Sequence, residues 1–241
     1  MAELRGRIVE ALASDSTSFM ICPLNLDVVA KLRRDAKFRT AYARAKFVSA
    51  DGFPIVTLAR LAGFHIERTT GADSIGPICR IAAQTNLPIF LVGSSLKTLC
   101  ASGSRLVKEN PGLDIRGVFA PPRGFDPQSP LAEEIIEILS RSGARICFIA
   151  LGAPRQELFA DRAIEKTAGI CFLTIGAGLD FISGAQRRAP KIIQRLNMEW
   201  VWRLVLNPAR LSGRYSLCAA VFAELVLKHF FSSSLLRDHN V

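Results

Sequence analysis

The sequence lacks several of the short motifs that mark common enzyme classes. It contains no GxxxxGK[ST] phosphate loop, no GxSxG nucleophile motif and no Asp-x-Asp pair that could hold a metal ion against a diphosphate. Its three histidines, His65, His229 and His239, lie far apart and predict no zinc site. These absences argue against a Walker-type nucleotidase, a serine hydrolase of the α/β type and a zinc enzyme.

Disulfide and membrane-spanning patterns are also missing. The six cysteines are widely spaced without a CxxC pair, and most lie in apolar runs, so we expect buried reduced thiols in a cytosolic protein. Residues 1–16 mix acidic residues with arginines, which is not typical of a secretory signal. The apolar run from Tyr215 to Phe231 is shorter than the about 20 residues of a bilayer span. Because it also contains Glu224 and Lys228, it predicts a surface-lying or packed helix.

Positive charge is abundant and unevenly distributed. The chain has 31 Lys and Arg residues against 21 Asp and Glu residues, a formal net charge of +10. Residues 187–214 contain seven of the basic residues and one acid, Glu199, together with Trp200 and Trp202. Such a segment predicts an anionic partner, which can be nucleic acid, phospholipid or a diphosphate-bearing substrate.

Apolar runs and helical patterns alternate about six times between Phe19 and Gly176, and the pattern from Leu26 to Arg44 predicts one long helix. This alternation predicts an α/β fold, a Rossmann-like parallel sheet with helices on both faces. After Arg188 this alternation ends, and the sequence becomes basic, aromatic and apolar. We therefore place a boundary near residue 190, with an α/β core at 1–190 and a basic, apolar, helical, membrane-associating C-terminal appendage at 191–241. The appendage is predicted to contain helices from Ile192 to Leu206 and from Tyr215 to Phe231.

Polar residues or glycines follow five of the predicted strands. In a parallel sheet the carboxyl ends of the strands lie at one edge, so we expect these residues to line one ligand-binding crevice. Helix N-termini at that edge favour phosphate groups. The residues concerned are Asn25, Asp51, Gly93-Ser94-Ser95, the segment from Leu151 to Glu157 and the segment from Gly176 to Asp180.

Asp51 lies between a predicted strand and Pro54, which suits the first turn of a helix. A carboxylate at this place can cap the helix, or it can take a proton from a substrate hydroxyl. The spacing alone favours the cap and leaves the second role open.

Several short motifs occur in order along residues 20–215. They are Ala50-Asp51-Gly52-x-x-Ile55-Val56, Glu67-Arg68-x-x-Gly71-x-Asp73, Leu151-Gly152-x-Pro154-x-Gln156-Glu157, Gly176-x-Gly178-x-Asp180-Phe181, Gly184-x-x-x-Arg188-Ala189-Pro190, Glu199-Trp200-x-x-Arg203-Leu204, Pro208-x-Arg210 and Arg214-Tyr215. Each motif is short, but their combination is specific. Together they resemble the WecG/TagA/CpsF family of bacterial glycosyltransferases (glycosyltransferase family 26).

The resemblance implies an inverting transferase that moves a hexosyl or N-acetylhexosaminyl group from a UDP-sugar to an undecaprenyl-diphosphate-linked saccharide. The product would be exopolysaccharide or another surface polymer, and the reaction would use no metal and no cofactor. The implied location is cytoplasmic, peripheral on the inner face of the cell membrane, with the appendage against an anionic membrane surface. The resemblance leaves open whether the protein is a homo-oligomer.

The resemblance also assigns roles to residues. Asp51 is the implied general base, and Arg203, Arg210 and Arg214 are the cations that balance the leaving diphosphate. Asn25 and Gln156 are implied sugar contacts, and Asp180 is an implied partner of ribose or uracil. The other implied substrate-binding residues are Arg68, Gly71, Gly152 and Glu157.

One position departs from the family, because Pro23 stands where the family usually has the threonine of a Thr-x-Asn motif. A hydroxyl contact to the substrate is missing there, which leaves the sugar open. A second reading is a non-catalytic basic protein that binds membrane or nucleic acid. The clustering of charge beside an apolar helix argues against nucleic acid as the partner, and we expect none.

Overall fold

The structure, a computed structural model, describes Gly6 and residues 17–237. The predicted absence of a secretory signal concerns a segment that, apart from Gly6, lies outside the described residues. Contacts divide the chain into two compact units. Unit 1 comprises Met1–Pro23, Asp35–Ser49 and Thr69–Arg187, and unit 2 comprises Leu24–Arg34, Ala50–Arg68 and Arg188–Val241.

Residues 17–237 form six strands and eleven helices. The strands are β1 (Phe19–Leu24), β2 (Phe47–Ala50), β3 (Ile89–Gly93), β4 (Ile115–Phe119), β5 (Ile146–Ala150) and β6 (Cys171–Thr174). The helices are α1 (Leu26–Leu32), α2 (Ala36–Ala43), α3 (Phe53–Leu61), α4 (Gly71–Gln84), α5 (Leu96–Glu109), α6 (Pro130–Arg141), α7 (Arg155–Lys166), α8 (Gly178–Ser183), α9 (Lys191–Arg195), α10 (Glu199–Leu206) and α11 (Pro208–Arg237).

The strands form one parallel sheet in the order β2-β1-β6-β5-β3-β4, with helices around it. Apart from Thr174 in β6, the central strands lack polar side chains, and Leu91, Phe148 and Phe172 are fully buried, as expected for strands that are covered on both faces. The predicted Rossmann-like α/β fold is confirmed.

The strand order creates a switch point between β3 and β5. The chain leaves β3 toward β4 on one side, and it leaves β5 toward β6 on the other side. The two helices that follow, α5 and α7, therefore diverge from the carboxyl ends of neighbouring strands. Open α/β sheets bind their ligands at such points. Gly93 at the end of β3 allows the backbone of Ala150 at the end of β5 to come close, because a Cβ on residue 93 would lie 2.5 Å from the carbonyl oxygen of Ala150.

Unit 2 is built mainly from helices. The long helix α11 packs against α1, α3 and α10, and Leu211, Cys218 and Val221 are its buried apolar residues. The predicted C-terminal helix is thus present. Among the helices of the described chain, none has the length and apolar character needed to cross a bilayer, which agrees with the prediction for this segment.

Three helix boundaries differ from the predictions. The helix predicted from Leu26 to Arg44 is two helices. Asp35 is the N-cap of the second one, α2, because its side chain accepts a hydrogen bond from the Phe38 N–H at 2.9 Å. The helix predicted from Ile192 to Leu206 is also two helices, which separate where Asn197 has φ +59°. The last helix begins at Pro208 instead of Tyr215, since proline fits the first helical position.

The cysteine prediction is confirmed for five of the six residues. All six thiols are free, and only Cys100 on α5 is exposed. Burial raises the pKa of Cys79 to about 12 and also raises the pKa of the other four buried thiols, so these five stay protonated at neutral pH.

Candidate active site

Asp51 is held from two sides in unit 2. Its backbone N–H donates to the Leu24 carbonyl oxygen at 2.8 Å, which continues the contact between the ends of β1 and β2. The side-chain amide of Asn25, the next residue after Leu24, donates to the Oδ2 atom of Asp51 at 3.1 Å. The N-cap position of α3 belongs to Gly52, with φ +109°, so Asp51 lies one residue outside the helix. The N-cap position that the spacing favoured for Asp51 is therefore occupied by Gly52.

Arg68 takes part in an ion-pair cluster of unit 2. A parallel bridge between Arg68 and Ala50, the residue before Asp51, holds it close to the proposed base. The Glu199 carboxylate of α10 is 3.2 Å from the Arg68 guanidinium and 3.3 Å from that of Arg188. Two cations share one carboxylate, so the cluster has a net positive charge and can attract an anionic group.

Two arginines of the appendage lie near an aromatic pair. The rings of Trp200 and Tyr215 pack edge to face at 6.1 Å. Burial raises the pKa of Tyr215 above its usual value, and the nearby Arg203 and Arg214 cations oppose that rise. The phenol therefore keeps its proton at neutral pH and can donate a hydrogen bond. Arg214 is also ion-paired with Asp27 of α1 at 2.8 Å, while Arg210 is exposed.

In unit 1, Gln156 joins the ends of β5 and β6. Its Oε1 atom accepts from the backbone N–H groups of Gly152 and Gly176, both at 3.2 Å. Its Nε2 atom donates to the Glu157 carboxylate at 2.7 Å. Gln156 is only 4% exposed and Glu157 is fully buried. The structure thus shows both residues as internal braces of two strand-end loops, and their role as substrate contacts stays a prediction.

Two of the predicted substrate-binding residues, Gly71 and Gly152, are glycines, and the structure shows a different reason for glycine at each position. Gly71 begins α4 against β6, where a Cβ would lie 3.1 Å from the Cα of Ile175 and 3.4 Å from Pro23. A side chain would therefore push the helix away from the sheet. Gly152 has φ +73°, a left-handed conformation that glycine adopts without strain, and its N–H is turned toward Gln156.

A cavity of about 800 Å³ opens at the switch point between β3 and β5 in unit 1. This volume is in the range of small-ligand sites. It is lined by the N-terminal turn of α5, the segment 120–125 after β4, the end of β5 and the start of α7. Arg123 and Arg155 supply positive charge, and the first turn of the 14-residue α5 lies at the wall. The cavity therefore suits an anionic or phosphorylated ligand.

Asp180 lies in the wall of this cavity, as part of α8. The Ser94 hydroxyl donates to its Oδ1 atom and the Gln186 amide donates to its Oδ2 atom, both at 2.7 Å. These bonds fix the carboxylate and leave it able to accept further hydrogen bonds, because each carboxylate oxygen has two lone pairs. An acceptor in such a position suits the hydroxyls of a ribose or the N–H of a uracil.

The structure brings the predicted residues together in two groups. Unit 2 holds Asn25, Asp51 and Arg68, together with Arg203, Arg210 and Arg214. Unit 1 holds Gly71, Gly152, Gln156, Glu157 and Asp180. Within unit 1, Ser94, Leu151 and Asp180 line the same cavity. That all five strand ends share one crevice stays a prediction. In the part of the chain that the structure describes, no group of three or more His, Cys, Asp or Glu side chains could hold a metal ion.

Sequence reasoning did not single out Gln186, Arg123 or the pairing role of Glu199. Gln186 and Arg123 lie in segments without a strand or helix pattern, so the sequence offered no signal for them. Glu199 did carry a signal, since it is the single acid in a basic segment and a lone carboxylate among arginines is expected to be paired.

Comparison with known proteins identifies relatives of the whole chain. The sequence profile of the Glycosyl transferase WecG/TagA/CpsF family matches residues 1–235. A similar protein is the N-acetylglucosaminyldiphosphoundecaprenol N-acetyl-beta-D-mannosaminyltransferase of Bacillus spizizenii. It is 26% identical over 210 residues, which are 87% of this chain and 79% of that protein. The match confirms the resemblance that the motifs indicated and favours the enzymatic prediction over the non-catalytic one. The chain therefore belongs to the WecG/TagA/CpsF family of glycosyl transferases.

Proposed function

We propose that this protein is an inverting, metal-independent transferase that moves a sugar from a UDP-sugar to a polyprenyl-diphosphate-linked saccharide in the synthesis of a surface polysaccharide. The relative from Bacillus spizizenii transfers N-acetylmannosamine to a diphosphoundecaprenol-linked sugar. We therefore expect a UDP-N-acetylhexosamine as the donor. The substitution of the family threonine by Pro23 keeps the choice among these sugars open.

The observation that carries the proposal is the fixed carboxylate of Asp51. Its backbone N–H is hydrogen-bonded to Leu24 and its side chain to Asn25. The carboxylate can therefore accept a hydrogen bond from an acceptor hydroxyl without first reorganising. In the proposed reaction Asp51 takes the proton of that hydroxyl while the hydroxyl oxygen attacks the anomeric carbon of the donor sugar. The bond from the anomeric carbon to the UDP oxygen breaks on the opposite side, which inverts the configuration. Arg203, Arg210 and Arg214 balance the charge of the departing diphosphate.

The cavity of unit 1 supports the donor assignment. It combines a helix N-terminus, two arginines and the braced carboxylate of Asp180. The first two features favour phosphate oxygens, and the third favours the ribose or the uracil. We assign this cavity to the nucleotide of the donor.

We assign the appendage, residues 191–241, to the membrane surface. Ile192 on α9 and Leu196, the residue directly after α9, are 71% and 63% exposed, and Lys191 and Arg195 lie on the same short helix. Apolar and cationic side chains that occur together on an exposed helix are typical of binding at the interface of an anionic bilayer. The lipid-linked acceptor resides in that bilayer, and we propose that the enzyme binds peripherally at its cytoplasmic face.

The test is an assay of the purified chain with vesicles that contain N-acetylglucosaminyl-diphosphoundecaprenol and a panel of UDP-sugars. We expect release of UDP with one UDP-N-acetylhexosamine and only when the acceptor is present. If no UDP-sugar yields UDP, the donor class is wrong. If UDP appears equally without the acceptor, the transferase assignment is wrong.

A further inference from the structure

Helix α1 connects two functional parts of unit 2. At its start, the Oδ1 atom of Asn25 accepts from the Val28 N–H at 3.0 Å and caps the helix. The other end of the same side-chain amide donates to Asp51 at 3.1 Å. The side chain of Asn25 is planar, so the direction of its N–H bond follows from the position in which the cap holds it. The place of α1 therefore determines where the donor to Asp51 points.

The other side of α1 is attached to the appendage helix α11. Asp27 pairs with Arg214 at 2.8 Å and with Lys31 of its own helix at 2.7 Å. Arg33, directly after α1, pairs with Glu224 at 2.7 Å. The two links to α11 are six residues apart along α1, about 9 Å. Two separated attachments fix both the shift of α1 along its axis and its rotation.

The links are not equivalent in strength. The Asp27 side chain is only 13% exposed, whereas Arg33 and Glu224 are each a third to a half exposed. Each carboxylate has two cationic partners, since Glu224 also pairs with Lys228 at 2.6 Å. Exposed ion pairs contribute little to stability when they are simply deleted. A reversal of charge replaces attraction by repulsion and is therefore the sharper way to disturb this contact.

We propose that α1 is a positioning element that couples the appendage helix α11 to Asp51. In this role Asn25 and Asp27 are positioning residues. Asn25 aims and restrains the Asp51 carboxylate, and Asp27 keeps α1 on α11 so that Asn25 is correctly placed. The inference rests on the proposed role of Asp51 as the base. It adds that the seating of the appendage on α1 changes the rate of the chemical step.

The first test separates the two functions of the Asn25 side chain. Asn25→Ser keeps a good helix cap but removes the N–H donor to Asp51. With the UDP-N-acetylhexosamine that supports turnover and N-acetylglucosaminyl-diphosphoundecaprenol as substrates, we expect kcat to fall by at least about tenfold, with KM for the donor nearly unchanged. A pure cap would leave kcat unchanged. A pure sugar contact would raise KM instead, and either of these results overturns the proposal.

The pH profile of kcat in Asn25→Asp distinguishes a positioning role of Asn25 from a merely structural one. Aspartate caps the helix as well as asparagine, but it places a second carboxylate beside Asp51. Like charges favour proton binding, so the decline of kcat on the acidic side should move to higher pH. A profile that coincides with that of the unchanged protein would contradict the contact between the two side chains.

The second test addresses the link to α11 through two residues outside the proposed substrate contacts. We expect Arg33→Glu and Glu224→Lys each to lower kcat at least about threefold. The double variant should regain part of the loss, because the pair is restored with reversed sign, while the repulsion between the new lysine and Lys228 remains. The matched control is Glu137→Lys with Arg141→Glu, which reverses an ion pair of α6 in unit 1 and should leave kcat unchanged. Single reversals without effect, or a double variant no better than the singles, overturn the coupling.

Asp51→Asn distinguishes failure of this inference from failure of the proposed function. If Asp51→Asn retains normal turnover, the base assignment itself is wrong. If Asp51→Asn is inactive while the Asn25 and Arg33–Glu224 variants behave like the unchanged protein, the base assignment stands and the coupling is wrong.

Discussion

Asp51 is the residue on which the proposed chemistry depends most directly. In Asp51→Asn, the new amide oxygen could still accept the hydrogen bond from Asn25, and the backbone bond to Leu24 would be unaffected. The amide could not accept a proton. We expect Asp51→Asn to keep its melting temperature and its affinity for the UDP-sugar while turnover falls by about 10²–10⁴-fold. Thermal unfolding, donor titration and UDP release measure the three quantities.

The matched control for this substitution is Asp114→Asn. Asp114 is exposed, is paired with Arg116 in unit 1 and has no role in the proposed site. Its variant should turn over normally. Near-normal turnover of Asp51→Asn would make Asp51 structural and would direct the search to another base.

Asp180 permits a separate prediction about donor binding. In Asp180→Asn the Oδ1 atom can still accept from Ser94, and Gln186 can rotate its amide to accept from the new N–H₂ group. The fold of the cavity should therefore persist without the negative charge. Because a hydrogen bond to a charged group contributes about 1.5–3 kcal/mol, we expect the Kd for UDP to rise at least about tenfold. Calorimetric titration with UDP measures it, and an unchanged Kd would remove Asp180 from the nucleotide site.

At the residue scale, the sequence could locate groups that follow strands but not the partners that hold them. Asp51 and Asp180 were found because apolar runs end just before or near them. Ser94 was found as a turn residue, but its bond to Asp180 joins positions 86 residues apart, and no local pattern encodes such a pair. The spacing favoured Asp51 for the N-cap position, which Gly52 with a positive φ occupies instead.

At the element scale, strands were easier to predict than helix boundaries. The strands are continuous apolar runs, which allow few alternatives. The helices Leu26–Leu32 and Ala36–Ala43 share one helical periodicity, and only the side-chain cap of Asp35 separates them. A weak competing interaction of this kind is overlooked when periodicity is the main signal.

The exposed apolar side chains at α9 lead to a prediction about membrane binding. Burial of a large apolar side chain is worth about 1.5–3 kcal/mol. Replacing both Ile192 and Leu196 by serine should therefore weaken binding to anionic vesicles at least about tenfold, without loss of folding, because both side chains are already exposed. Vesicle sedimentation measures the binding. Ile138→Ser, at an exposed site on α6, is the control and should bind normally. Equal sedimentation of all three proteins would refute the assignment of α9 to the membrane.

At the scale of the whole molecule, contacts between distant segments decide the organisation. Leu24–Arg34 and Ala50–Arg68 belong to the same compact unit as the C-terminal helices, although they alternate in sequence with segments of unit 1. A boundary drawn along the sequence cannot express such a grouping. It arises because α1 and α3 supply the surfaces on which α11 packs. The charge distribution along the chain was easier to predict, since it can be read directly from the sequence.

That charge distribution leads to a prediction about metal ions. Transfer from a UDP-sugar leaves negative charge on the diphosphate, which has to be balanced either by a divalent cation or by side chains. In the described residues no cluster of carboxylates, histidines and cysteines is suited to a divalent ion, whereas Arg203 and Arg214 lie near the protonated Tyr215. We expect turnover in EDTA to equal turnover in its absence. We also expect Arg203→Ala to lower kcat about 10²-fold or more and Mg²⁺ not to restore it. Complete loss of activity in EDTA, with recovery on addition of Mn²⁺ or Mg²⁺, would show that a metal ion rather than the arginines balances the charge.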